Sequence, residues 1–137
     1  MIIYIDENIS PYLARGFNII QAPLNHKLRE PIEIISVKDE FTQGIQDEKW
    51  IPLAGAKGSC IITQDYNIHR IRQQQALCVK YQLGMFYFRP PSKNGFLYWD
   101  MPALMVKHWP QIIKLAVFEV RPFAFKVTSR GEIENLN

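Results

Sequence analysis

The segment SCIITQDYNIHR, residues 59–70, joins a short apolar strand to a helix through a single carboxylate, Asp65. Its first residues are typical of a buried strand, and helical spacing begins near Asn67. The start of the chain repeats this arrangement, because MIIYI is followed by Asp6 and then by a helix start at Ser10-Pro11. Two apolar strands that each end in a carboxylate predict a polar site at one edge of a sheet.

Strands alternate with helices along the rest of the chain. Apolar runs predict strands at 2–5, 32–37, 59–63 and 85–88, and helical spacing predicts helices that begin at about Pro11, Asp47, Asn67 and Met101. This order of elements predicts an α/β fold, a three-layer α/β/α domain with a mostly parallel central sheet.

Two local signals complete the predicted fold. Gly16 stands where a glycine commonly caps a helix, so we predict that the first helix ends there and that residues 17–31 form a loop or a minor strand. The ending RPFAFKV, SRG, EIENL predicts a C-terminal β-hairpin with its turn at Gly131. We therefore divide one domain of residues 1–137 into an α/β core at 1–118 and a hairpin extension at 119–137.

The composition is that of a globular protein, with 47% hydrophobic and 21% charged residues. MIIYIDEN lacks the features of a signal peptide, and no apolar run approaches the roughly 20 residues that span a bilayer. We therefore expect a cytoplasmic protein without a membrane segment. Cys60 and Cys78 are then expected to be reduced and buried, and the net charge of +3 permits a polyanionic partner.

The strand-end carboxylates suggest a chemistry. Functional groups of parallel α/β sheets gather beyond the carboxyl ends of the strands, so Asp6 and Asp65 meet if their strands are neighbours. Asp47, in the first turn of its helix, is placed to add a third carboxylate. Mg²⁺ and Mn²⁺ favour oxygen ligands, and such ions promote the attack of water on a phosphodiester. Each acid also has a structural interpretation, as a helix cap or first-turn acid.

The run from Asp47 through Trp50, Ala54 and Gly58 to Thr63-Gln64-Asp65 resembles the signature of PIN-domain ribonucleases. In that family an acidic residue opens a helix, an alanine lies on its buried face, a glycine precedes a strand, and the strand ends in Thr-x-Asp. Asp6-Glu7-Asn8 is similar to the family's opening motif. The resemblance covers roughly residues 1–90, and the C-terminal hairpin further resembles a PIN-like subgroup allied to the VapC toxins of toxin–antitoxin pairs.

The resemblance implies a metal-dependent endoribonuclease that uses Mg²⁺ or Mn²⁺. It implies that the ligands include Asp6, Asp47 and Asp65, and that Asn8 and Thr63 orient ligands or water. The family's second acid has no clear counterpart, and the candidates are Glu7, Asp39 and Glu40. For the VapC-allied subgroup, it implies RNA as substrate, a small antitoxin as partner and a homodimer.

Two arginines are candidates for contact with the substrate. Arg70 lies on the helix after Asp65, and Arg89 follows the strand at 85–88, so both are placed to reach a phosphate near the cleft. A solvent-exposed helix face is the structural alternative for Arg70.

Two other functions stay open. The first is a non-catalytic PIN-like module that binds RNA or protein, which the uncertain second acid favours. The second is a response-regulator receiver-like domain, which also places acids after its first strand. Against the receiver, Asp47 lies in TQGIQDEKW, which is no strand.

Overall fold

The computed structural model describes residues 1–58 and 60–136. One sheet of six strands runs in the order β2-β1-β3-β4-β5-β6. Its strands are β1 Ile2–Ile5, β2 Glu33–Ser36, β3 Cys60–Gln64, β4 Gly84–Phe88, β5 Phe123–Val127 and β6 Glu134–Asn135. The helices are α1 Pro11–Gln21, α2 Val37–Glu40, α3 Asp47–Lys57, α4 Ile68–Lys80 and α5 Asp100–Phe118, with a 3-10 helix at Ala22–Lys27.

The first five strands pair in parallel, and only β6 pairs in the opposite direction, with β5. The predicted mostly parallel α/β fold and its antiparallel C-terminal hairpin are therefore confirmed. β5 lies within the central sheet, in parallel register with β4, so only β6 extends the sheet beyond its parallel part. The division of the domain at residue 118 stays a prediction.

Two apolar layers enclose the sheet, because successive strand residues point to opposite faces. On one face, Ile3 and Ile5 belong to a core that α1 and α5 complete. On the other face, Tyr4 packs in a core formed with α3 and α4. The sheet is thus covered on both sides, as its apolar strands predict.

Helix α1 is longer than its sequence predicts. The Ser10 hydroxyl accepts a hydrogen bond from the Tyr12 backbone N–H at 3.2 Å, so the predicted start is confirmed. The predicted end at Gly16 is wrong, and residues 17–27 are not the predicted loop, since the helix continues to Gln21 and leads into the 3-10 helix. The buried residues Ala14, Phe17 and Gln21 explain the difference, because their helical spacing continues the core-facing stripe past the glycine.

The other predicted boundaries agree with the structure within about three residues, but the sequence did not predict the short helix α2. Ser59, which we predicted as the first residue of the third strand, lies outside the described residues, as does Asn137 at the end of the predicted hairpin. None of the helices in the described ranges has the length and apolar character needed to cross a membrane.

Candidate active site

The site lies where the chain reverses its order across the sheet. β1 lies between β2 and β3, so the connections that leave its carboxyl end and that of β3 diverge and open a crevice. The Asp6 backbone N–H donates to the Ile62 carbonyl at 2.9 Å, which fixes the end of β1 against β3. Asp6 follows β1, Asp65 follows β3, and Asp47 is the first residue of α3.

The structure brings these three predicted carboxylates together around one guanidinium, that of Arg70 on α4. Arg70 Nη2 lies 2.7 Å from Asp6 Oδ2, Nε lies 3.3 Å from Asp47 Oδ2, and Nη1 lies 3.2 Å from Asp65 Oδ2. Nη2 also donates to Asp47 Oδ1 at 3.3 Å. All three nitrogens of one side chain therefore bind carboxylates from three separate parts of the chain.

Asp6 is the most enclosed of the three, with no exposed surface. Its Oδ1 accepts from the Glu7 backbone N–H at 2.8 Å, and its Oδ2 accepts from Gln74 Nε2 at 3.0 Å as well as from Arg70. The Thr63 hydroxyl lies 2.7 Å from the same Oδ2 and 3.0 Å from Gln74 Oε1. A buried carboxylate needs such donors because burial without partners is costly.

Local donors also hold the other two carboxylates. Trp50, a core residue of α3, donates its Nε1–H to Asp47 Oδ1 at 2.9 Å. Asp65 Oδ1 accepts from the Asn67 backbone N–H at 2.9 Å, and the Tyr87 hydroxyl donates to the Asp65 carbonyl at 2.7 Å. The side-chain cap of α4 is Asn67, whose Oδ1 accepts from the first turn, so Asp65 precedes the cap and does not form it.

The electrostatics of the cluster follow from this geometry. Burial by itself lowers the pKa of the Arg70 guanidinium, but the charges of Asp6 and Asp47 outweigh burial and raise that pKa above its ordinary value. Arg70 is thus a permanent cation. One positive charge faces three carboxylates, so the cluster attracts cations.

The donor set is partly suited to the metal that the resemblance implies. Carboxylate oxygens are the ligands that Mg²⁺ and Mn²⁺ prefer. Within residues 1–58 and 60–136, however, no group of three or more His, Cys, Asp or Glu side chains is arranged to hold a metal ion. The reason is visible in the contacts, since the inward-facing oxygens are turned to Arg70. The carboxylates do not fit a metal ion while the guanidinium stays among them.

An open cleft of about 620 Å³ adjoins the cluster. Asp47, Asp65 and Arg70 line it, together with Glu7, Asn8, Glu48 and Gln73. Arg70 is one-quarter exposed there, whereas Asp6 lies at the closed end of the site. A substrate that enters from solvent therefore meets Asp65, Asp47 and Arg70 first.

Two further predicted residues bind the loops around the cluster. Glu7 Oε2 accepts from the Gly44 backbone N–H at 3.1 Å, so its carboxylate is directed to the loop before α3. Asn8 exchanges hydrogen bonds with Gln64, whose Nε2 donates to the Asn8 carbonyl at 2.8 Å while Asn8 Nδ2 donates to the Gln64 carbonyl. Both residues line the cleft, but their hydrogen bonds go to Gly44 and Gln64, whereas the three aspartates bind Arg70.

The alternative second acids lie away from the cluster. Asp39 accepts two hydrogen bonds from Arg15, at 2.6 and 2.9 Å, and this pairing holds the pKa of Asp39 below its usual range. Glu40 is exposed at the end of α2. Of the three candidates for the second acid, the structure therefore places only Glu7 at the cleft.

Arg89 lies at the carboxyl end of β4, as predicted, with its guanidinium 5.4 Å from the centre of the Tyr66 ring. Tyr66 follows Asp65 directly in the sequence, but among the described residues neither Arg89 nor Tyr66 lines the cleft beside the cluster.

Sequence reasoning missed Gln74 and the polar role of Trp50. Gln74 is fully buried and bridges Asp6 and Thr63. Its position four residues after Arg70 puts both side chains on one face of α4, and this spacing was the available signal. The sequence marked Trp50 only as part of the PIN-like run, whereas in the structure its indole nitrogen fixes Asp47.

Fold and site together define a class, an α/β protein with a carboxylate cluster at the switch point of its parallel sheet. A family model described as a PIN-like domain matches residues 1–90. The chain therefore belongs to the PIN-like domain family, which has a nuclease-type fold. Comparison with curated proteins and with solved structures gave no significant match.

Proposed function

We propose that this chain is a nuclease that hydrolyses RNA phosphodiester bonds at the cleft beside Asp6, Asp47 and Asp65. The observation that carries the proposal is the convergence of these carboxylates, from three separate chain segments, at the switch point of a PIN-like fold. The net charge of +3 and the acidic cluster together leave the rest of the surface more basic, which favours contact with a polyanion.

The proposed cofactor is Mg²⁺ or Mn²⁺, held by Asp6, Asp47 and Asp65 once Arg70 has moved aside, with Glu7 as an additional acid at the cleft. When bound, such an ion supplies an activated water and stabilises charge on the phosphate oxygens. Thr63 and Gln74 keep Asp6 oriented, and Asn8 ties the ends of β1 and β3 together.

Arg89 and Arg70 are the proposed contacts to the RNA backbone. Guanidinium groups bind phosphate through paired N–H donors. The Tyr66 ring under Arg89 is 45% exposed, so it also offers a surface on which an unpaired base can stack.

Incubation of the full chain with a mixed RNA pool tests the proposal. We expect cleavage with Mg²⁺ or Mn²⁺ and none with excess EDTA, because a hard cation is required to activate water. Single-stranded DNA of matching sequence, run in parallel, tests the preference for RNA. Intact RNA under every metal condition would contradict the proposal.

A second candidate function is a PIN-like module that binds RNA or protein without cutting. The specific observation in its favour is that Arg70 already satisfies the three carboxylates. Binding of RNA without metal-dependent cleavage, measured by fluorescence anisotropy on the same pool, would support this module.

We further propose a biological role as the toxin of a type II toxin–antitoxin pair, related to VapC, with a small antitoxin as partner, a homodimeric assembly and a cytoplasmic location. The C-terminal hairpin supports the subgroup by resemblance.

Expression in a bacterial host is expected to arrest growth, and Asp65→Asn is expected to abolish the arrest at equal protein level. Asp65 is preferred to Asp6 for this substitution because it is less buried, with a side chain 27% exposed. Harmless expression of an RNA-cleaving chain would instead indicate RNA processing.

A further inference from the structure

The contacts of Arg70 differ from those of an ordinary surface ion pair. Arg15 directs Nε and Nη2 to a single carboxylate, that of Asp39. Arg70 spreads Nε, Nη1 and Nη2 over three carboxylates that come from three separate segments of the chain. The guanidinium therefore occupies the position that a central cation would take among three ligands.

The frame that holds the carboxylates does not depend on Arg70 alone. Thr63 and Gln74 hold Asp6, Trp50 holds Asp47, and the Asn67 backbone N–H holds Asp65. Arg70 is the partner that the structure gives to Oδ2 of Asp47 and Oδ2 of Asp65. If its guanidinium leaves, the carboxylates keep their anchors and present these oxygens to the cleft.

Arg70 also has a path out. Its side chain is 26% exposed and lines the open cleft with Gln73, so the guanidinium borders solvent and a change of side-chain rotamer suffices to release it. Charge favours such an exchange, because a divalent cation compensates three carboxylates better than a single guanidinium does.

We infer that Arg70 is an exchangeable counter-ion, which holds the metal-free carboxylates together and competes with a divalent cation for the same oxygens. Binding of the cation then releases the guanidinium into the cleft, where it is free to contact a phosphate. This inference rests on the metal use of the proposed function but not on RNA cleavage. Arg70 is on this account a positioning residue before metal binds and a substrate contact afterwards.

Mn²⁺ titration of the full chain, followed by the electron paramagnetic resonance signal of free Mn²⁺, tests the inference. Arg70→Gln is expected to bind Mn²⁺ about 10-fold more tightly than the wild type, because the competing side chain no longer occupies the site. Arg72→Gln, an exposed arginine on the same helix, is the matched control and is expected to keep the wild-type affinity. Arg70→Lys keeps the positive charge and is expected to lie between the two. Equal affinities of wild type and Arg70→Gln would overturn the inference.

Thermal unfolding provides a second readout. Without metal, Arg70→Gln is expected to melt at a lower temperature than the wild type, and saturating Mn²⁺ is expected to restore much of the loss. A merely structural arginine predicts that Mn²⁺ raises the melting temperature of Arg70→Gln no more than that of the wild type, because any ion that binds the folded protein stabilises it, and that result counts against the inference.

The wild type itself supplies a test that does not depend on a folded variant. The Arg70 Nε–H resonance, assigned by backbone-to-side-chain correlation, is expected to shift to the position of exposed arginines as Mg²⁺ is added. Mg²⁺ binding that leaves this resonance in place, or no Mg²⁺ binding, would overturn the inference.

If Mn²⁺ affinity rises in Arg70→Gln but no RNA is cut, the nuclease proposal fails alone. If RNA is cut but Arg70→Gln leaves the affinity unchanged, the inference fails alone.

Discussion

Asp6 illustrates what a single buried charge requires of its neighbours. It has no exposed surface, and its two oxygens receive a backbone N–H, an amide, a hydroxyl and a guanidinium from four different residues. If one donor is removed, the carboxylate stays buried with fewer partners. The free energy of its desolvation is then no longer fully compensated, and the protein loses stability.

Thr63→Val tests this requirement, because valine keeps the shape of threonine and removes only the hydroxyl. We expect the free energy of unfolding to fall by about 1.5–3 kcal/mol, since Asp6 loses a donor at 2.7 Å. Thr42→Val is the matched control at an exposed position and is expected to change stability by less than about 0.5 kcal/mol. Urea denaturation measures both, and equal effects at the two sites would show that the hydroxyl contributes nothing particular.

At the same scale, the sequence predicted the aspartates but not their partner. Asp6 and Asp65 follow apolar strands, so local pattern and the geometry of parallel sheets suffice to bring them together. Arg70 and Arg72 have the same chemistry and lie two residues apart, and only the packing of α4 determines which of them faces the cluster. Arg70 was therefore predicted as a substrate contact, and its contacts with all three carboxylates became visible only in three dimensions.

Helix α1 and strand β4 show how the surroundings of a glycine decide its role. Gly16 was expected to end α1, but the helix passes through it, and apart from the backbone of α1 itself no atom of residues 1–58 and 60–136 lies within 4 Å of a Cβ built there. Gly84 lies at the start of β4 in register with Phe123, and a Cβ built on the glycine would overlap the ring atoms of Phe123. The local sequence does not distinguish the two glycines. Only tertiary packing shows that Gly16 lies inside a helix and that Gly84 lies where two strands approach closely.

Alanine at these two glycines is therefore expected to have opposite effects. Gly84→Ala forces the Phe123 ring away and should destabilise the protein by about 1–3 kcal/mol. Gly16→Ala adds a methyl group in open space within a helix and should stabilise it by about 0.5–1 kcal/mol. Thermal unfolding of both variants measures the difference, and a loss of stability in Gly16→Ala would contradict the α1 helix described above.

Over the whole molecule, the order of strands explains why the site lies where it does. β1 lies between β2 and β3, and the chain leaves the sheet in divergent directions beyond their carboxyl ends. The alternation of strands and helices in the sequence predicted this architecture, since a predicted helix follows each of the four predicted apolar strands. The sequence did not predict that β5 joins the parallel part of the sheet, because pairing with β4 depends on contacts remote in the chain.

The central claim is that the carboxylate cluster cuts RNA, and the rate of RNA cleavage in Mn²⁺ by Asp65→Asn tests it most directly. Asp39→Asn is the matched control, because it makes the same chemical change at an exposed acid that pairs with Arg15 outside the cleft. We predict that Asp65→Asn cleaves at least about 100-fold more slowly than the wild type, since it removes a proposed metal ligand, and that Asp39→Asn keeps the wild-type rate. Cleavage by Asp65→Asn at the wild-type rate, or the absence of RNA cleavage by the wild type, would contradict the account.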